Sequence, residues 1–248
     1  MIKIGIIGGS GLEDPQILST VHEEEVSTPY GKPTSVLTHG IINEKEVILI
    51  SRHGKHHQYS PTEVNYRANI YALKEAGVTH ILATTACGSL KEEIGRSHFV
   101  VLDQFIDFTK HRINTYADKF ENGIVHMLMA TPFDETLRSL FFTAATQLNF
   151  AVHPKGTVVT IEGPRFSTKA ESKMFQLWGA DVINMSVATE ATLANELKIP
   201  YAAIAMRPDY DCWKDHEAPV SWEEILKIFS QNADNVKKIL IDVIGRIV

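Results

Sequence analysis

The sequence predicts an α/β chain folded as a single domain, with helices on both faces of a mixed sheet. Three observations carry this. Apolar, uncharged runs such as Tyr201-Ala-Ala-Ile-Ala-Met206 stop at breakers, here Arg207-Pro208, as buried parallel strands do. From residue 61 onward such runs alternate with capped helical stretches. The length of 248 residues lies within the reach of one α/β domain with a sizeable core, taken as 1–248. No repeat, linker or low-complexity segment divides the chain.

Ile2-Lys-Ile-Gly-Ile-Ile7 is a strand that runs into Gly8-Gly9-Ser10-Gly11. With so few side chains, backbone N–H groups and the Ser10 hydroxyl are able to close around an anion, and a plain tight turn fits the same residues. A dinucleotide fingerprint does not fit. Counted from Gly9 and Gly11, its third glycine falls on Asp14, and no ribose-binding acid follows on a second strand. The G-K-[ST] ending of a Walker loop is missing too. Val36–Leu37 and Glu46–Ser51 read as paired strands around an Asn43-Glu44-Lys45 turn. Next comes Arg52-His53-Gly54-Lys55-His56-His57. Its histidines invite a metal reading, but no further ligand cluster completes one, and no metal is expected. Arg52 serves better as a permanently charged fork for phosphate, with His53 beside it.

Ser60-Pro61-Thr62-Glu63 predicts a helix start, with serine as cap, proline first and glutamate third, and Gly77 as the stop. Val78 to Ala83 is a strand leading into the small, hydroxyl-bearing Thr84-Thr85-Ala86-Cys87-Gly88-Ser89. Strands follow at Phe99–Leu102 and Thr157–Ile161, with a helix at Asp134–Leu148 between them. Thr168-Lys-Ala-Glu171 is a capping box whose helix ends at Gly179. Val182–Met185 is a short strand and Glu190–Leu197 a helix, and Ser221-Trp-Glu-Glu224 caps a last helix running to about Ile244.

The balance of 24 basic against 30 acidic residues gives a net charge of −6, and no basic run offers a surface to nucleic acid or membrane. No apolar run reaches the roughly 20 residues of a membrane helix. Cys87 and Cys212 lie far apart without metal or redox spacing, and the chain opens on a strand pattern without a signal peptide. A cytoplasmic protein with reduced thiols and a small-molecule ligand is expected.

Gly9-Ser10, Arg52-His53, Thr85-Ala86, Met185-Ser186, and Asp209 with Asp211 all fall directly after predicted strands. Neighbouring parallel strands gather such ends into one crevice. One end of it, with amides, hydroxyls and an arginine, suits an oxyanion. At the other end two acids at period-two spacing offer acceptors to one planar donor edge, such as adenine protonated at N7; on spacing alone, a pair of solvated loop acids is the alternative reading. No G-x-S-x-G elbow is present, so an anion rather than a side chain is the expected attacking group.

Ile6-Ile-Gly-Gly-Ser-Gly-Leu12, Arg52-His-Gly54, Val64-Asn-Tyr-Arg-Ala-Asn69, Thr84-Thr-Ala-Cys-Gly-Ser-Leu90, Asp103-Gln-Phe-Ile-Asp107, Glu162-Gly-Pro-Arg-Phe-Ser167 and Asp209-Tyr-Asp-Cys-Trp213 together resemble the 5′-methylthioadenosine phosphorylases of the purine nucleoside phosphorylase superfamily. The resemblance spans nearly the whole chain in order. It implies a phosphorylase fold around a mixed, barrel-like central sheet flanked by helices, assembled as a trimer or a dimer of trimers. It also implies phosphorolysis of methylthioadenosine to adenine and 5-methylthioribose 1-phosphate, with phosphate as co-substrate and no metal or organic cofactor.

By matching motif, the resemblance assigns phosphate to Ser10, Arg52, His53, Thr85, Ala86 and Ser186, and the ribose to Met185. Phe166 and Ser167 would line the base pocket, Asp209 and Asp211 would be catalytic and read the base, and His126 would reach the 5′ substituent across a subunit boundary. Trp222 falls near the 5′ group where a smaller valine is familiar. Arg207 and Pro208 depart from the family pattern beside the acids, Ser186 replaces a threonine, and the proline customary before Glu190 is absent. The competing readings are a purine nucleoside or methylthioinosine phosphorylase of broader specificity, a nucleoside-binding protein without turnover, and a nucleosidase that uses water.

Overall fold

The computed structural model describes residues 2–9, 17–120, 123–124, 126–214 and 222–248, without the side chains of 207–209 and 222–231. Its elements are β1 (Lys3–Gly8), β2 (Ser19–Glu24), β3 (Leu37–Ile42), β4 (Lys45–Ser51), α1 (Tyr66–Glu75), β5 (His80–Ser89), β6 (Phe99–Val101) and β7 (Gln104–Phe108). These are followed by α2 (Glu135–Gln147), β8 (Val152–His153), β9 (Thr157–Ile161), α3 (Lys169–Leu177), β10 (Val182–Asn184), α4 (Val187–Glu196), β11 (Tyr201–Tyr210) and α5 (Trp222–Arg246).

Alternation along the central strands divides the core between the two faces of the sheet. Ile7, Ile48, Ile50, Ile81, Ala83, Ala203 and Ala205 face one side, where Tyr66, Ile70 and Leu73 of α1 and Val187, Ala191 and Leu193 of α4 cover them. Ile4, Ile6, Val47, Leu49, Leu82, Ala202, Ile204 and Met206 face the other, under Leu137 and Phe141 of α2 and Val236, Leu240 and Val243 of α5. A third cluster seats Phe175 of α3 on Val159, Ile161 and Ile183.

The strands form one mixed sheet in the order β2-β3-β4-β1-β5-β10-β9-β7, branched at β5, which also pairs with β11; β6 and β8 extend that branch. β4, β1, β5 and β11 are parallel neighbours, whereas β10 runs antiparallel to the far end of β5. The β3–β4 hairpin turns through Asn43 and Glu44, both at positive φ, as its two-residue loop requires. No helix among the described residues is long and apolar enough to cross a membrane.

Several elements differ from expectation. The helix expected from Ser60 begins at Tyr66 instead. Ser60 and Glu63 do exchange hydrogen bonds, but they close only a turn, and Asn65 supplies the cap by accepting from the Ala68 N–H. The Thr84–Ser89 stretch, expected as a loop, remains strand because β11 pairs beyond the end of β1, Ile204 with Thr84 and Met206 with Ala86. β11 likewise continues through Arg207 and Pro208, with a register shift between Met206 and Asp209. Such a bulge accommodates the proline's missing N–H. β2, fully exposed, β7 and β8 have no counterpart in the sequence reading.

Candidate active site

The ends of β1 and β4 stay joined beyond their last ladder pair, because the Arg52 N–H donates to Gly8 O at 2.9 Å. The Gly9 N–H donates to Thr84 Oγ1 at 3.4 Å. A Cβ on Gly9 would lie 2.7 Å from Arg52 Nη1 and 3.2 Å from Thr84 O, so only glycine permits this approach of backbone to guanidinium. Ser10, next in the chain, lies outside the described residues.

Arg52 is spent differently from the sequence reading. Its side chain is 1% exposed and faces Glu190, which is 2% exposed. Nε donates to Glu190 Oε1 at 2.5 Å, Nη2 to Oε2 at 2.9 Å, and Nη1 to Thr84 O at 2.9 Å. Tyr201 adds a hydroxyl donor to Glu190 Oε2 at 2.8 Å. Burial alone pulls the guanidinium's pKa down, and the charge and hydrogen bonds of Glu190 more than reverse this, leaving it above the usual arginine value. The two-pronged edge expected to hold an oxyanion therefore belongs to Glu190, and Nη1 is the part turned toward the glycine turn.

His53 donates from Nδ1 to Tyr59 O at 2.9 Å and stacks on His57 with ring centroids 4.6 Å apart, which fixes the ring. Among the described residues, no three His, Cys, Asp or Glu side chains gather as metal ligands. Thr85, 3% exposed, accepts from Asn184 Nδ2 at 3.1 Å and donates to Ala86 O at 3.1 Å. Because β10 runs back along β5, it carries the chain from Gly88 toward Thr85 and delivers Met185 and Ser186 there. Ser186, 4% exposed, stands at the N-terminus of α4 without a side-chain cap bond. A helix N-terminus with a spare hydroxyl favours an anion.

At the other end, the backbone of Asp209 pairs with Gly88; its side chain is outside the described residues. Asp211 donates its N–H to Ser89 O at 2.9 Å and accepts from Ser167 Oγ at 2.6 Å through Oδ2. The neighbouring Cys212 donates its thiol to Ser167 O at 3.1 Å, and burial followed by the Asp211 charge pushes that thiol's pKa up. Phe166, beside Ser167, is 67% exposed. Thr84, at the arginine end, and Gly88, at the acid end, are four residues apart on β5, which at about 3.3 Å per residue separates the two ends by roughly 13 Å.

Between them sits Met185. Its carbonyl accepts from Arg112 Nη1 at 2.9 Å and from Tyr66 OH at 3.3 Å. Its Sδ rests on Gly163, where a Cβ would stand only 2.5 Å away. His126 is exposed and meets the edge of Phe120 at 5.7 Å, and Trp222 opens α5 with its side chain outside the described residues.

A cavity of about 290 Å³ adjoins the site, with Ser167, Glu162 and Gly163 in its wall and Phe108 and Phe175 beneath. A second hollow of about 370 Å³ lies between Asn43 and the end of α5 and shares none of the candidate residues. The sequence reading gave no role to Glu190, Arg112 or Glu162. A lone acid amid the small residues of Val187-Ala-Thr-Glu-Ala191 was the available signal for Glu190; Arg112 lies in a polar stretch that gives none.

The family profile described as "Phosphorylase superfamily" matches residues 3–245. The S-methyl-5′-thioadenosine phosphorylase of Xenopus tropicalis is 52% identical over 250 residues, covering 99% of this chain and 89% of that protein. The enzyme of the same name from Drosophila melanogaster is 46% identical over 249 residues, covering 99% and 86%. Among solved structures, methylthioadenosine phosphorylase from Schistosoma mansoni in complex with adenine superposes with a TM-score of 0.94 at 40% identity, covering 99% of this chain and 91% of that one. A mutant of the adenosine/methylthioadenosine phosphorylase from the same organism, in complex with methylthioadenosine, gives a TM-score of 0.92 at 40% identity, covering 99% and 91%.

Proposed function

This chain belongs to the phosphorylase superfamily, and we propose that it cleaves S-methyl-5′-thioadenosine with phosphate, giving adenine and 5-methylthioribose 1-phosphate for methionine and purine salvage. The observation that carries the reading is that one strand serves both ends. β5 meets Gly9 and Arg52 at Thr84, and Asp211 at Gly88.

Phosphate would lie against the Gly9 turn and Ser10, with Arg52 Nη1, His53, Thr85, Ala86 and Ser186 around it. Because Glu190 neutralises Arg52, hydroxyls, amides and the α4 N-terminus supply much of the binding. Ribose would rest on Met185, and Phe166 and Ser167 would line the base pocket. As the C1′–N9 bond breaks, its electron pair moves onto the purine and positive charge builds on the sugar. A phosphate oxygen held beneath C1′ stabilises that charge and forms the new bond. A proton held at N7 by Asp209 makes adenine a neutral leaving group. Asp211, with Oδ2 occupied by Ser167, would accept from the 6-amino group through Oδ1 and reject a 6-oxo purine.

A homo-oligomer, trimer or dimer of trimers, would bring His126 of a neighbouring copy to the 5′ group, near Trp222. The enzyme would be a cytoplasmic single-domain protein needing no cofactor. The test is release of the free base from methylthioadenosine with and without phosphate, repeated with adenosine, inosine and methylthioinosine. Phosphate-dependent release confined to the 6-amino nucleosides is the expected result. Release without phosphate would make the protein a hydrolase, and equal cleavage of inosine would remove Asp211 from base selection.

A further inference from the structure

Arg112 is buried to 1% of its side chain beside the site, and its guanidinium spends donors in three directions. Nε donates to Glu162 Oε1 at 2.9 Å and Nη2 to Glu162 O at 2.7 Å. Nη1 donates to Met185 O at 2.9 Å and to Tyr66 OH at 2.8 Å, and the group lies over the Tyr66 ring, 5.0 Å from its centroid. The Glu162 carboxylate is gripped in turn by the N–H groups of Lys110 and His111, at 2.7 and 3.0 Å, and by the Thr62 hydroxyl at 2.8 Å. Four segments distant in sequence meet on this one ion pair.

What the pair replaces gives it meaning. β9 and β10 are parallel neighbours whose last pair is Thr160 with Asn184. Beyond it the strands part, one toward the 163–167 wall and the other toward Met185 and Ser186. The carbonyls of Glu162 and Met185, left without ladder partners there, are both taken by the same planar guanidinium. A planar fork fixes two acceptors relative to each other, which an ammonium does not. The segment carrying Arg112 is itself pinned from behind, because Glu196 accepts from Thr115 Oγ1 and the Tyr116 N–H at 2.6 Å each.

We infer that Arg112 is a positioning residue for the transfer. Held by Glu162, it sets the height of Met185 under the sugar and the distance from Met185 to the Ser167 wall. The inference rests on the proposed nucleoside site. Gly163 serves the same contact from the opposite side, since any side chain there meets Met185 Sδ.

The experiment is steady-state kinetics on Arg112→Lys, Gly163→Ala, Glu162→Gln and the Arg112→Lys/Gly163→Ala double variant, varying methylthioadenosine and phosphate separately, with thermal melts of each. A misplaced sugar lowers kcat by about 10²-fold in Arg112→Lys and Gly163→Ala, while KM for phosphate stays within about threefold. Because both act through Met185, the double variant is about as slow as the poorer single one rather than the product of the two. Glu162→Gln turns an amide toward the Lys110 and His111 N–H groups and lowers kcat about tenfold. If Arg112→Lys fails to fold, Gly163→Ala and Glu162→Gln decide the matter. The inference is overturned if folded variants keep kcat within twofold, or if kcat and the KM for phosphate worsen together with loss of thermal stability. An inactive parent enzyme would instead overturn the proposed function.

Discussion

Replacing Glu190 with alanine strands the Arg52 guanidinium in a place it cannot leave. Both side chains are almost fully buried, and the substitution removes two charge-assisted bonds and the acceptor of the Tyr201 hydroxyl. Breaking a buried pair by deleting one partner costs about 3–5 kcal/mol, chiefly because the remaining charge is uncompensated. For a chain of this length each kcal/mol moves the melting temperature by about 2–4 °C, so a fall of roughly 6–20 °C is expected. Thermal and urea unfolding of Glu190→Ala measure it. The control is Arg52→Met with Glu190→Leu, which removes both charges and keeps volume. It should recover most of the loss, or exceed the parent, since apolar replacements of buried pairs are often neutral or stabilising. Phosphate saturation should nevertheless remain impaired in the double variant, because Nη1 beside Gly9 is gone. A loss under about 1 kcal/mol for Glu190→Ala, the range of an exposed pair, would refute the reasoning. So would a double variant no more stable than the single one.

The Glu162 carboxyl sits at about 2, below its ordinary 4.5: burial pushes it up, but the Lys110 and His111 N–H groups, then Thr62 and Arg112, outweigh that. A carboxyl depressed in the folded state stabilises above its unfolded pKa, and the contribution fades as pH falls from about 4.5 through 2. Glu162→Gln should flatten the acid limb of a stability-against-pH curve in that window; an unchanged slope counts against the network. Gly9→Ala places a methyl 2.7 Å from Arg52 Nη1, costing about 1–3 kcal/mol by overpacking. It should also raise KM for phosphate, and a parent-like KM would move the anion elsewhere. Asp211→Asn should lower kcat/KM for methylthioadenosine by about 10- to 100-fold while narrowing the gap to inosine. A uniform loss on both nucleosides would deny Asp211 a reading role.

Local chemistry in the sequence reaches the helix caps at Asp134 and Thr168, the hairpin turn at Asn43 and the strand at Thr157–Ile161, because each depends on residues within a few positions. It fails where pairing with distant chain decides. β5 keeps its strand form through Thr84 and beyond only because β11 lies alongside, and Pro208 stays in β11 only because a bulge absorbs it. The same divide holds at the site. Glycine turns and strand-end hydroxyls are legible, being properties of one segment. That Arg52 turns its fork to Glu190, 138 residues away, and that Arg112 grips Glu162 and Met185, are decisions of the tertiary fold, with no periodicity to announce them.

The three-way branch at β5 has a mechanical result. Its Thr84 and Gly88 are separated by continuous peptide, clamped by β11 on one edge and by β1 and then β10 on the other. No hinge lies between them. The backbone thus holds the spacing of the two ends as a gauge block would. Variation in a bound nucleoside is expected off the axis of the strand, in the flanking loops, with the gauge length left alone.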